Sequence, residues 1–435
     1  MRRMVSILLL MITASGVQAQ IGLPTVRLPA LPQAPLANTG RLLSADAQTD
    51  LEALQDVRRL KVRDLIRRNR AVLQADRNGA AIVRGEILAV SPEKSALDAA
   101  ITAGFTVLRT RSLDGLDARI VVLGVPPGMD TLRALEKLRA LAPSASFDYN
   151  HIYTNSGTIV SAAAGSAAPG SDLTGSAALQ PGNLGLIDSG VDVAHRVFKD
   201  APIHQHGCPA GPVPDPHGTA VASLMIGRSV DFHGAAPGAE LYAADVYCGS
   251  PMGGAADAVA DAFSWLARER VAVINVSLVG PPNLTLEAVI RMVVARGHLV
   301  VAAVGNDGPA APPLYPASYP GVIGVTAVDA HRRVLFEAGR GPQVRFAAPG
   351  ADMSAANSVQ TFGLVRGTSF AAPIVAGLLA ERLREPDRQA AELAVDDLAH
   401  RAVDLGAAGF DPVYGWGLVG GDLAPEPRLA TARAR

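Results

Sequence analysis

The 435-residue sequence predicts an α/β protein: a doubly wound parallel sheet over residues 183–425, preceded by a small ferredoxin-like α+β domain of split βαβ order over residues 81–153. Three observations predict it. Beyond residue 183, runs of Val, Ile and Ala alternate with helical patterns, and several of these runs are continuously apolar, as strands are when helices cover both faces of a parallel sheet. Between residues 81 and 153 the hydrophobic periodicity reads strand, helix, strand, strand, helix, strand. A Gly/Ala/Ser-rich stretch over residues 154–182 separates the two patterns and marks the domain boundary.

Taken in order, residues 1–19 combine Arg2 and Arg3, a short apolar run from Val5 to Ile12 and the small-residue end Val17-Gln-Ala19, which reads as an export signal peptide. The alternative is a membrane anchor, but a spanning helix needs ~20 apolar residues and this run is shorter. No later segment reads as a stable membrane span, so the expected location is periplasmic or extracellular. Residues 20–80 begin with the proline-rich "LPTVRLPALPQAPL", an extended linker, and continue as a charged helical stretch at about 44–75. The small domain then contributes strands "AIVRGEILAV", "FTVLRT", "ARIVVLGV" and a last one near "SFDYNHIY", with helices "EKSALDAAITAG" and "MDTLRALEKLRALA". In the larger domain the strands are "LGLID", "AELYAADVY", "VAVINVSL", "HLVVAAV", "GVIGVTAV" and "VRFAAPG", with helices starting at His217, at "AADAVADAFSWLARE", at "LEAVIRMVVARG" and after Ser369.

Composition narrows the function classes. With 49% hydrophobic and 18% charged residues the chain buries large cores, which excludes a wholly disordered protein. A formal net charge of -1 gives no whole-chain reason to expect nucleic acid as a partner. Cys208 and Cys248, exposed to an oxidising compartment after export, form a disulfide candidate; the other reading is two unpaired small core residues.

Chemistry in such sheets gathers beyond the carboxyl ends of strands. Asp188 ends "LGLID" and is followed by Ser189-Gly190, a sharp turn that leaves a carboxylate at the strand tip. His217, after Pro216, opens a helix. Asn306 follows an apolar strand between Gly305 and Gly308, and Ser369 stands between a Gly-Thr turn and an apolar helical run. Singly, these are an Asx turn, a surface or capping histidine, a turn asparagine and a helix N-cap. Together they are the groups acyl transfer requires: a hydroxyl nucleophile, a base, a carboxylate to orient it, and donors for an oxyanion, to which the start of the serine helix adds backbone N–H and dipole. Pro373 has no N–H for the Ser369 carbonyl, which predicts an irregular first turn.

The ordered motifs "LIDSGVD", "HGTAVAS", "AAVGNDGP" and "GTSFAAP" resemble the subtilisin-like serine proteases, whose chain order Asp, His, Ser they share. The resemblance spans about residues 183–420. It implies that Asp188 orients, His217 is general base and then acid, Ser369 attacks, and Asn306 donates to the oxyanion. It also implies that Ser277, Leu278, Val279 and Gly280 form a strand to which a peptide substrate adds. Val279 departs from the family's glycine there, and Leu314 replaces a small residue at the floor of the pocket for the residue before the scissile bond, so small side chains are expected in it. No cofactor and no metal is predicted: the loop "GRSVDFHGAAP", where the family often holds calcium, is short and lacks a cluster of oxygen ligands.

The resemblance further implies a secreted hydrolase made as a zymogen, in which residues 81–153 are a prosegment acting as intramolecular inhibitor. Its tail would be Phe147–Tyr153, with self-cleavage near 150–160, leaving residues 154–182 as linker or mature N-terminal segment. Residues 20–153 carry 18 Lys and Arg against 14 Asp and Glu, whereas residues 154–435 carry 19 against 26, and opposite signs favour docking. A permanent accessory domain is the alternative. The reading is thus a monomeric serine endopeptidase acting on proteins or peptides. Two rivals use the same fold: a noncatalytic peptide-binding protein, and an esterase or acyltransferase with the same triad.

Overall fold

A computed structural model describes residues 45–160, 181–230, 232–358 and 360–423, with side chains described from residue 57 onward except at 160. The expected signal peptide and proline-rich segment, and most of the Gly/Ala/Ser-rich stretch, lie outside the described residues.

Helix α1 (Ala45–Arg68) stops earlier than the charge pattern suggests. Asn69 turns the chain, its Nδ2 donating to the Leu65 carbonyl at 2.9 Å, and β1 (Leu73–Ala75) pairs antiparallel with β2 (Ala81–Val90). Then follow α2 (Lys94–Thr102), β3 (Thr106–Leu113), β4 (Ala118–Gly124), α3 (Thr131–Leu141), β5 (Phe147–Asn155) and the short β6 (Thr158–Val160). The sheet order β5-β2-β4-β3, all neighbours antiparallel, is the split βαβ arrangement. One of its faces is closed by α2 and α3 through Ile87, Phe105, Leu135 and Phe147.

The larger part begins with β7 (Leu184–Asp188) and β8 (Ile203–His206), then α4 (Pro216–Ile226) and the small hairpin β9 (Arg228–Ser229) and β10 (Phe232–His233). Next come β11 (Leu241–Asp245), β12 (Gly254–Ala255), α5 (Ala256–Arg268), β13 (Val273–Val276), β14 (Leu278–Val279), α6 (Leu284–Ala295) and β15 (Leu299–Ala303). The chain continues through β16 (Val322–Val328), β17 (Val344–Pro349), the hairpin β18 (Ala351–Ala356) and β19 (Phe362–Arg366), α7 (Thr368–Ala380) and α8 (Arg388–Arg401). Seven strands form one parallel sheet in the order β17-β16-β15-β13-β7-β11-β8. The order reverses around β7, so a crevice opens at the carboxyl end of that strand, beside Asp188.

The continuous apolar strands have the predicted cause. Leu184 and Leu186 of β7 face a core with Val221 and Met225 of α4 and Phe370 and Ile374 of α7. Ile187 faces a second core with Phe263 of α5 and Ile290 of α6. That second core extends into the N-terminal module, whose second sheet face contributes Leu88, Leu113, Ile120 and Val122 and whose β3–β4 turn adds Leu116. At the closest approach Gly115 is held against α5: a Cβ there would lie 2.2 Å from the Ser264 carbonyl oxygen.

Helix α7 runs unbroken through Pro373. The predicted irregularity is absent because the Ser369 carbonyl, deprived of the proline N–H, accepts a 2.9 Å hydrogen bond from the buried Ser277 hydroxyl instead. Among the described residues no helix is long and apolar enough to cross a membrane.

Candidate active site

Asp188, at the tip of β7, is fully buried. Its Oδ1 accepts from the Ser189 N–H at 2.7 Å and from His217 Nδ1 at 2.8 Å. The imidazole is aimed by its helix start: Asp215 caps α4 by accepting the His217 N–H at 2.8 Å, and Pro216 occupies the first position, where its missing N–H costs nothing. The Ser189 hydroxyl donates to Asp215 at 2.8 Å and accepts from Gly218 N at 3.0 Å, tying the strand tip to the helix start. Burial acts on His217 most strongly and disfavours its cation. The adjoining Asp188 carboxylate, its hydrogen bond and the more distant Asp215 charge together outweigh burial and hold the imidazole above the ordinary histidine value.

Ser369 lies in the first turn of α7, where backbone N–H groups have no partner within the helix. Its Oγ is 2.8 Å from the Ser156 Oγ and 3.3 Å from the Ser277 carbonyl oxygen. His217 Nε2 is buried and makes no hydrogen bond among the described residues. Asn306, just beyond β15, bridges the site: Oδ1 accepts from Thr368 N at 3.0 Å, and Nδ2 donates to the Ser156 carbonyl oxygen. Gly367, at φ 133°, leaves room for this arrangement; a Cβ would lie 2.8 Å from Asn306 Nδ2 and 3.0 Å from Gly157 Cα.

Residues 152–160 therefore pass through the cleft. Leu278 and Val279 of β14 pair antiparallel with Asn155 and Thr154, while Gly254 and Ala255 of β12 pair with Tyr153 and Ile152. Gly280 lies beneath the buried Tyr153, whose ring would be 2.5 Å from a Cβ there, and the Tyr153 hydroxyl donates to the Pro281 carbonyl at 2.8 Å. Beyond Ser156 and Gly157, Thr158 and Ile159 pair with Arg366 and Val365 of β19. Leu314 closes on the neighbouring Gly305, where a Cβ would be 2.4 Å from its Cδ1.

Asp188, His217, Asn306 and Ser369 are thus brought together, although the serine hydroxyl engages Ser156 and not the imidazole. Leu278 and Val279 pair with a strand, whereas the Ser277 side chain supports Ser369 from behind. Cys208 and Cys248 are joined by a disulfide with Cα atoms 5.4 Å apart. Ser156, Gly157, Phe370, the bridging hydroxyl of Ser189 and the capping role of Asp215 escaped sequence reasoning. For Asp215 a signal existed, since Asp-Pro before a helical run is a capping pattern.

Similarity searches agree with this geometry. The profile of the Subtilase family matches residues 183–417. Subtilisin BL of Lederbergia lenta is 33% identical over 259 residues, 56% of this chain and 93% of that protein. Subtilisin E of Bacillus subtilis is 31% identical over 252 residues, 54% of this chain and 63% of that protein. In fold, the chain resembles fervidolysin of Fervidobacterium pennivorans, described as a keratinolytic enzyme related to subtilisin. The TM-score is 0.63 at 22% identity, over 82% of this chain and 63% of that one.

Proposed function

From the premise that this chain belongs to the subtilase family and is a serine endopeptidase, we propose that it is exported as a zymogen whose first proteolytic event is cleavage of its own Ser156–Gly157 bond. Asp188, His217, Ser369 and Asn306 do the chemistry. The observation that carries this reading is the Ser156 carbonyl: its oxygen is on Asn306 Nδ2 and its side chain is on the Ser369 hydroxyl.

Rotation about the Ser369 Cα–Cβ bond exchanges the Ser156 hydroxyl for the unpartnered His217 Nε2; catalytic hydrogen bonds commonly tighten only as the reaction begins. Ser369 Oγ then bonds to the Ser156 carbonyl carbon while its proton moves to Nε2, and Asp188 stabilises the imidazolium. The negative oxygen stays where Asn306 and the first turn of α7 can donate to it. Breaking the C–N bond returns the proton from His217 to the Gly157 nitrogen and leaves an ester between Ser369 and Ser156. A water, deprotonated by His217, hydrolyses that ester to a Ser156 carboxylate and the free hydroxyl. The released tail, residues 152–156, retains its strand pairing with β12 and β14 and acts as an inhibitor until the N-terminal module departs. Protein and peptide substrates bind by the same added-strand pairing, with a small residue before the scissile bond above Leu314.

Expression of the wild type and of Ser369→Ala tests this. The wild type should yield a fragment whose amino terminus is Gly157 and should digest casein; Ser369→Ala should remain joined through 156–157 and be inactive. A wild type that stays intact, or a variant that is still processed, would refute the reading.

A further inference from the structure

We infer that Phe370 restricts the residue after the scissile bond to glycine, so that the enzyme cuts only where a glycine follows the attacked carbonyl. The inference rests on the reading of Ser156–Gly157 as the bond that is cut.

Gly157 is not glycine for reasons of backbone conformation, because it is absent from the positions with positive φ. What the position lacks is space. A Cβ at Gly157 would lie 2.4 Å from Phe370 Cε2, 2.9 Å from Cζ and 3.2 Å from Cδ2, all along one ring edge. Such a clash could be relieved by moving the ring, the peptide or the helix, and each of these is held.

The ring is fully buried in the core shared by α4 and α7, and the His217 imidazole is 5.3 Å away, centroid to centroid. Turning the ring edge aside means repacking that core or pressing on the imidazole. The peptide is pinned on both sides of the bond. Upstream, Asn155 and Thr154 pair with Leu278 and Val279; downstream, Thr158 and Ile159 pair with Arg366 and Val365. Gly367 also approaches Gly157 so closely that its own Cβ would be 3.0 Å from the Gly157 Cα. The helix cannot shift either, because Phe370 directly follows Ser369 within it, and moving the one moves the nucleophile.

Restoring ordinary contact requires a displacement of about 1 Å, and misplacing reacting atoms by that much costs on the order of 100-fold in rate. The substrate class is an extended segment with a glycine directly after the attacked carbonyl.

The test uses the processed enzyme and quenched fluorescent peptides with the sequence of residues 151–160, in which position 157 is Gly, Ala, Ser or Leu, with cut sites read by mass spectrometry. The Gly peptide should be cut between positions 156 and 157, and the Ala, Ser and Leu peptides should show kcat/KM lower by about 100-fold or more. Phe370→Leu should narrow the gap between Gly and Ala. In the full chain, Gly157→Ala should slow self-processing, and adding Phe370→Leu should restore it in part. Ala cut within about threefold of Gly at the 156–157 bond would overturn the inference and leave the self-cleavage reading standing. If the Gly peptide were not cut at that bond, both would fall. Because the peptide series is carried by the wild type, a Phe370→Leu protein that does not fold would not spare the inference.

Discussion

His217 illustrates how one side chain sets the working range of an enzyme. A general base must be neutral, and burial alone would keep it so to low pH. Asp188 and Asp215 reverse that balance and raise the imidazole pKa. The acid limb of kcat/KM should therefore lie above the ordinary histidine value of about 6.5 and rise with pH through it. The same sign applies to stability: the His217 contribution is complete below the unfolded value and is lost as pH climbs through the raised one. Asp188→Asn removes the principal support of the cation and should lower kcat on the order of 10⁴-fold. A pH–rate profile checks both; an acid limb below 6.5 in the wild type would contradict the first. Asp188, His217, Ser369 and Asn306 stood out in sequence because each stands at a strand tip or helix start, within a short motif of turn-forming residues. Ser156 and Gly157 were not, since small polar residues in a Gly/Ala/Ser-rich stretch look alike until a strand on either side gives them a register. Phe370 was hidden for the opposite reason: a phenylalanine in an apolar helix reads as core, which it also is.

Among the elements, α5 shows how the two parts of the chain are matched. Asp257, in its first turn, is buried, and accepts from Arg109 at 2.9 and 3.0 Å, from Arg111 at 3.1 Å and from Asn150 at 2.9 Å. Burial pushes this carboxyl up, but Arg109, Asn150 and Arg111 prevail and hold it below the ordinary aspartate value. A depressed acid contributes to association above its free value of about 3.8, and the contribution is lost as pH falls through the lowered one. After the proposed cleavage, the N-terminal module should therefore dissociate more readily below about pH 4 than at pH 7, measured by size exclusion of the processed complex. Both arginines are about one-third exposed, so Asp257→Ala should cost about 2 kcal/mol, or roughly 30-fold in dissociation constant. Burying an apolar side chain contributes about 1.5–3 kcal/mol, and Leu88, Leu113, Leu116, Ile120 and Val122 of the module all enter the shared core, so acid loosens this interface without abolishing it. Unchanged elution from pH 7 to 3 would exclude Asp257 as an anchor. Helical periodicity and continuous apolar runs had outlined these elements well, whereas β1, β6 and the β18–β19 hairpin, whose strands are short or pair only locally, left no such pattern.

At the scale of the whole molecule, the alternation of strands and helices was enough to predict the parallel sheet, because only helices on both faces let so many strands be apolar throughout. The strand order was not readable, since strands apolar on both faces carry nothing that singles out a neighbour. What sequence left open about the cysteines the fold decides: Cys208, after β8, meets Cys248, after β11, and their bridge encloses the whole of α4 with His217. Cys248 is further fixed by Asp245, whose Oδ1 accepts the Cys248 N–H at 2.8 Å and whose Oδ2 accepts the Val213 N–H at 3.0 Å. A bridge across 40 residues of sequence removes loop-closure freedom from the unfolded chain worth about 4 kcal/mol. At about 2–4 °C per kcal/mol for a domain of this size, Cys208→Ser with Cys248→Ser should lower Tm by roughly 8–16 °C. Because the loop carries His217 and not Ser369, moderate heating should inactivate the double variant through its α4 segment first. Hydrogen exchange should report early opening at residues 208–226 while α7 stays protected; equal protection of both helices in wild type and variant would show that the bridge does not hold the histidine in place.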